Sequence, residues 1–425
     1  MRTSHGLGFC ALGVWLFLYL IGFVVPVGFV VVRGFQGIEL FDPVLVAIAW
    51  ATFKQSALSS VLTGILGLGL GIAVWKAGRG ARFARVLLSL PFTVPSLVAA
   101  SAWVFWLGRT GGLGSLELAY SMKAVILAHV AWNVPWVALQ VVQAAETTPR
   151  NQWEAAQTMG ASPALSFITV VWPQIRSHWV FACVQVYLLC SMSFTVVLLL
   201  GGGPPVSTLE TSLYAALRIG GLDLSRAVGC ALWQIAVTLP AAIWVLQSTL
   251  RERTLLQQAD SPALHDQTSR GMVAVVSLAA ILFVIPYFPV LAAPIKNVGF
   301  FEALQELGPA AWISLQIALG AALGTVLISL LGAWVGTFLR DRTRVGLSML
   351  ITLGLLPSGV SILVVGLGIW LAYGSWFDPF DANLLWFVGL QTVLFSPWGM
   401  RKFWPLVSRP QTHLHEAAAC LGASP

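Results

Sequence analysis

Long apolar runs recur along this chain, and they decide what it can fold into. A helix that crosses lipid needs about 20 largely apolar residues, because hydrocarbon offers no partner for backbone N–H and C=O groups. Ten stretches qualify: 7–32, 56–75, 86–107, 124–142, 179–200, 224–246, 272–293, 312–339, 346–372 and 384–398. The first is too long for a secretory signal core and lacks a small-residue cleavage site, so it is expected to stay as a span. Charged residues make up only 9% of the chain, against about 25% in a soluble domain. The net charge of +7 is therefore no sign of nucleic-acid binding, since the basic residues sit between the apolar runs. The expected class is all-α: a polytopic membrane protein of about ten helices.

Lysine and arginine orient the spans, because cytoplasmic loops carry the excess. With the N-terminus inside, 16 of the 23 basic residues fall on the cytoplasmic side. They include Lys76, Arg79, Arg82 and Arg85 after the second span and Arg340, Arg342 and Arg344 after the eighth. Inverting the chain would place these clusters outside. A multi-pass inner-membrane protein with a cytoplasmic N-terminus is expected.

The chain also repeats itself. Residues 154–163 read EAAQTMGASP and residues 416–425 read EAAACLGASP, agreeing at seven of ten positions. The same offset of 262 relates Pro135-Trp136 to Pro397-Trp398, and Leu90-Pro91 is echoed by Leu356-Pro357. Six spans separate the two EAA segments, so both return to one face. This divides the chain into a first half of 1–250, a polar linker of 251–270 and a second half of 271–425. The repeated loops lie at about 143–178 and from about 410 onward.

Within the first loop, Thr148 is a candidate cap and Pro149 a first helical residue, with Asn151 to Met159 continuing. Gly160 supplies the left-handed turn that ends the helix, and Ser162-Pro163 restarts a second one. Ala155 and Ala156 allow a partner surface close to the backbone, and Glu154 adds one charge. The second copy repeats the device with Glu416, Ala417, Ala418 and Gly422, stopping at Ser424-Pro425. Two equivalent loops on one face call for a partner with two equivalent sites.

The pattern E-A-A, three residues, then G, followed by an apolar helix reaching Trp172-Pro173, resembles the EAA loop of binding-protein-dependent ABC importer permeases. The whole chain is similar to their fused two-domain form, the type I importer permease fold. The resemblance implies that Glu154, Ala155, Ala156, Gly160, Glu416, Ala417, Ala418 and Gly422 dock a dimer of ATP-binding subunits. It implies further that a periplasmic binding protein delivers a small solute. The loop after the fifth span, LGGGPPVSTLETSLYAALRIGGLD, and the AHVAWNVPWVALQVVQAAETTP run look most like bacterial thiamine importers, with ferric-iron permeases as neighbours. The family places two further spans after its second EAA loop, so the second half is expected to be truncated.

Other classes find less support. No span carries Asp, Glu, Lys or Arg near its middle, whereas an intramembrane charge usually marks the ion path of a secondary transporter. No G-x-x-x-x-G-K-[ST] loop is present, so ATP is expected to be hydrolysed by a separate subunit. The six histidines are scattered, and the five cysteines form no CxxC pair. Neither a metal, a cofactor nor a catalytic constellation is expected. Gly67 and Gly71 have the small-xxx-small spacing of close helix packing. Pro91, Pro95, Pro135, Pro357 and Pro397 imply kinks.

Overall fold

The computed structural model describes residues 2–34, 39–109, 111–203, 206–219, 222–252, 270–292, 300–340, 342–376, 384–408 and 420. Its regular elements there are helical, as the apolar runs require. Six helices are long and apolar enough to cross a membrane, and three bent pairs raise the number to as many as nine. These nine fall on the first nine expected stretches. The tenth is a 25-residue helix, Leu384–Ser408, diluted by Gln391, Ser396, Pro397 and Arg401-Lys402.

In chain order the helices are α1 Arg2–Tyr19, α2 Val25–Gly34, α3 Pro43–Lys76, α4 Arg82–Thr93, α5 Ser96–Leu107 and α6 Met122–Glu146. There follow α7 Arg150–Thr158, α8 Pro163–Ser166, α9 Trp172–Ser191, α10 Thr195–Gly201, α11 Leu209–Arg218 and α12 Leu224–Glu252. The remainder are α13 Arg270–Val284, α14 Phe288–Ala292, α15 Phe300–Arg340, α16 Arg344–Leu355, α17 Ile362–Tyr373 and α18 Leu384–Ser408. Residues 253–269 of the expected linker lie outside the described residues. Helix α3 starts thirteen residues before the expected second span, because Asp42 caps it. Its carboxylate accepts from Val44 N at 3.3 Å, with Pro43 as first residue. Lys54 therefore sits within a helix, exposed, 5.7 Å from the Trp50 ring centroid.

The chain divides into two compact units: residues 1–30 with 308–425, and residues 31–307. The first sequence repeat supplies most of the second unit, yet α13, which opens the second repeat, packs there against α4, α3 and α6. Val276 and Ala280 of α13 share a buried cluster with Val74, Ala84, Leu88 and Val141. Reciprocally, α1 belongs to the unit built from the second repeat. There Trp15 and Tyr19 are fully buried and stacked at 4.1 Å. The Tyr19 hydroxyl meets Ser396 and donates to the Gly354 carbonyl at 3.4 Å.

Two π turns share one cause. Val25 N–H bonds to Leu20 O and Trp172 N–H to Phe167 O, each across five residues. In both cases the next residue is a proline, Pro26 or Pro173, which has no N–H to continue the ladder. The first turn leaves the Ile21 carbonyl to accept from the Tyr373 hydroxyl at 2.9 Å. The second carries α8 into α9, so the helix that was expected to end near Trp172-Pro173 runs on as the fifth span.

The third and ninth spans are broken in the same way. Helices α4 and α5 meet at 100°, and 345–359 meets α17 at 105°. In both, the N-cap of the restarting helix lies four residues after the repeated proline. Pro95 is the N-cap after Pro91, and Ser361 is the N-cap after Pro357. Pro135 and Pro397, by contrast, lie within the unbroken helices α6 and α18. Gly67 and Gly71 face α6 closely, where an added Cβ would lie 2.7 Å from Val137 Cβ and from the Ala138 carbonyl oxygen. That is the packing their spacing suggested.

Candidate functional site

The first repeated loop is fixed at its root by apolar packing. Ala144 and Ala145, the last turn of α6, are fully buried beside Val74, Trp75, Val171 and Ile175. Trp153 of α7 and Phe167 of the π turn pack on this cluster, with the Phe167 ring 6.0 Å from that of Trp75. Glu146 closes α6 and accepts from Arg85 of α4 at 2.6 Å. The loop thus stands on the ends of α3, α4 and α6.

From that root the chain makes the short helix–turn–helix. Pro149 is the N-cap residue and Arg150 the first helical one, a shift of one from the expected start. Thr148 does not cap; its hydroxyl is buried with no hydrogen-bond partner among the described residues. Helix α7 ends in a Schellman turn: Gly160 N–H bonds to Gln157 O at 2.9 Å and Ala161 N–H to Ala156 O at 3.0 Å. Gly160 has φ +86°, in the left-handed region, as its type and position required. Ser162 then caps α8, its hydroxyl accepting from Leu165 N at 3.3 Å, with Pro163 at the first position.

The residues singled out from sequence split between two faces. Glu154, Ala155 and Gly160 are exposed, while Ala156 is buried against the body of the protein. Ala156 therefore seats the helix instead of offering itself to a partner. Sequence reasoning missed the exposed apolar residues around the turn: Met159 is 82% exposed, Leu165 50% and Ile168 59%. Gln157 beside them is exposed as well. Glu416, Ala417, Ala418 and Gly422 of the second copy lie outside the described residues.

The loop after the fifth span combines left-handed glycines with a capped helix. Gly202 and Gly203 have φ +72° and +91°. Thr208 and Thr211 form a capping box at the start of α11, whose Leu209 and Leu213 are fully buried. Among the described residues no group of three or more His, Cys, Asp or Glu could hold a metal ion.

Residues 65–287 match the family described as binding-protein-dependent transport system inner membrane component. The chain is 32% identical over 344 residues to the thiamine transport system permease protein ThiP of Escherichia coli (strain K12), covering 76% of this chain and 62% of that protein. It is 27% identical over 395 residues to ThiP of Brucella abortus (strain 2308), covering 88% and 71%. It is 31% identical over 241 residues to the sn-glycerol-3-phosphate transport system permease protein UgpA of Yersinia pestis, covering 52% and 80%. The chain spans about three fifths of the length of its Escherichia coli relative. The matched region runs from α3 through the exposed loop to the first span of the second repeat, and this chain belongs to the family of binding-protein-dependent transport system inner membrane components.

Proposed function

We propose that this chain is a membrane subunit of an ATP-driven importer that takes up thiamine delivered by a binding protein from outside. The observation that carries this reading is the exposed α7–α8 loop. It is a helix–turn–helix seated on three spans and presenting Glu154, Ala155, Met159 and Gly160 outward. Such an element can pass a push from a soluble partner into α3, α4 and α6. The partner is an ATP-binding subunit dimer, met by Glu154, Ala155 and Gly160 of one docking loop, with Ala156 seating that helix from beneath, and by the loop of Glu416, Ala417, Ala418 and Gly422 in the other half. Nucleotide-driven closure of that dimer shifts the population between inward- and outward-open states by differential binding. The loops and the N-terminus lie in the cytoplasm, in accord with the placement of lysine and arginine.

Thiamine is favoured as the solute because several relatives carry that transport in their names, at up to 32% identity. Ferric iron, the substrate of neighbouring permeases, is the second reading. A secondary transporter would be expected to concentrate its substrate without nucleotide. The test is uptake into inverted-topology-controlled membrane vesicles containing this chain, its ATP-binding subunit and its binding protein. Labelled thiamine should accumulate only with ATP. Uptake of ferric iron in its place would move the substrate assignment, and uptake of thiamine driven by an ion gradient alone would remove the importer reading.

A further inference from the structure

The fifth span stops inside the protein and is closed off there by side chains from three other helices. Helix α9 ends at Ser191, and α10 resumes at Thr195 after a bend of 61°. A helix end leaves its last carbonyls without intrahelical donors. In lipid no water satisfies them, and each unmet group costs several kcal/mol. Here Gln55 Nε2 of α3 donates to the Cys190 carbonyl at 2.8 Å, adding to the backbone Ser193 N–H that reaches the same oxygen at 3.4 Å. Gln234 Nε2 of α12 donates to the Ser191 carbonyl at 3.0 Å. His129 Nε2 of α6 lies 2.9 Å from the Ser193 hydroxyl within the break. All three side chains are buried, with Gln55 and Gln234 at 2% and 1% exposure. The side-chain oxygens of both glutamines have no partner among the described residues, so the amides are held by their donors.

Beyond the break, α10 packs against α5 and α6. Val196, Val197 and Leu200 share a buried cluster with Ala100, Trp103 and Leu107 of α5, the far limb of the broken third span, and with Ala124, Val125 and Ala128 at the start of α6. At its end come Gly202 and Gly203 in left-handed backbone. A glutamine also recurs in the second repeat. The run Gln-x-Ala-Leu appears at Gln55–Leu58 and again at Gln316–Leu319.

We infer that Gln55, Gln234 and His129 are positioning residues that hold the Met192–Phe194 break as a hinge, so that α10 and the Gly202–Gly203 loop swing as one limb during transport. The inference rests on the importer reading for its purpose, but not for its geometry. Donors from α3 and α12 make the broken conformation the satisfied one.

The test uses the full chain in membranes opened by freeze–thaw, freed of its five cysteines and carrying Ser207→Cys on the loop beyond the limb. Labelling by a maleimide is followed in the nucleotide-free protein, which needs no ATP-binding subunit. Gln55→Met and Gln234→Met keep bulk and flexibility but donate nothing. Each is expected to change the labelling rate at position 207 roughly fivefold, the population shift matched by one lost hydrogen bond. With the ATP-binding subunit and vanadate present, the difference between resting and trapped states should also collapse, while co-purification of that subunit holds. Labelling at 207 unchanged by either methionine variant overturns the hinge. So does a uniform loss of membrane abundance with the resting-to-trapped ratio intact, since a merely structural role predicts that outcome.

Discussion

The carboxylate of Glu146 accepts a 2.6 Å hydrogen bond from the Arg85 guanidinium, joining the last residue of α6 to α4 across the root of the exposed loop. Both side chains are partly open to solvent, at 26% and 36%, so the pair adds only about 0–1 kcal/mol to stability. Its place matters more than its strength. It links the base of the exposed loop to the near limb of the broken third span.

Single charge removal should therefore separate coupling from folding. Glu146→Gln and Arg85→Gln are expected to leave the thermal midpoint nearly unchanged while lowering ATP-dependent uptake several-fold. The exchanged pair Arg85→Glu with Glu146→Arg should recover part of the lost uptake. A double exchange no better than the worse single variant would show that the two residues act separately.

Gly160 supports a sharper expectation. Its φ of +86° disfavours any β-branched residue, and Gly160→Val should cost more than about 1 kcal/mol locally. No atom lies within 4 Å of a Cβ added there, so the harm comes from backbone conformation and not from crowding. Pull-down of the ATP-binding subunit should fall while the amount of chain in the membrane holds. Undiminished pull-down would count against this loop as the docking element.

The glycines of α3 give an internal control. A methyl group at Gly71 would lie 2.7 Å from the Ala138 carbonyl oxygen, whereas at Gly69 nothing lies within 4 Å. Gly71→Ala should destabilise the protein by about 1–3 kcal/mol, the usual cost of overpacking. Gly69→Ala should be neutral. Heating the detergent-solubilised variants and following aggregation will rank them, and equal midpoints would refute the close α3–α6 approach.

Orientation is open to direct labelling. In a cysteine-free chain, Ser115→Cys should react with an impermeant maleimide added outside intact cells. Asn151→Cys, exposed on α7, should react only after the membrane is breached. The reverse pattern would invert the topology drawn from the lysines and arginines.

The exposed helix–turn–helix was legible because its signals are local: Gly160 needs positive φ, and Ser162-Pro163 is a cap followed by a first-turn proline. The breaks were half legible. Pro91 and Pro357 announced them, but the bends of 100° and 105° follow from where Pro95 and Ser361 restart the helix. Asp42-Pro43 was an equally plain start signal for α3, obscured by the search for a purely apolar run. The placement of α1 and α13 was not legible at all. Helices that are apolar on every side carry no stripe to say which neighbour they will meet. Nor did the apolar runs disclose Gln55, His129 and Gln234, since a single polar residue in a span names no partner until the folded chain supplies one.

The exchange of first spans between the two repeats sets an order of assembly. Helix α1 is finished within the first 34 residues, but the residues that enclose Trp15 and Tyr19 start only at residue 308. At about 5–20 residues per second, α1 leaves the ribosome roughly a quarter to one minute before its neighbours exist. During that interval it must wait in lipid or at the insertion machinery, with its aromatic face unclaimed. Helix α13 meets the opposite situation, for α3, α4 and α6 are already made when it emerges. The nascent chain thus closes its second unit while the first is still being translated, and its earliest span is among the last to find its place.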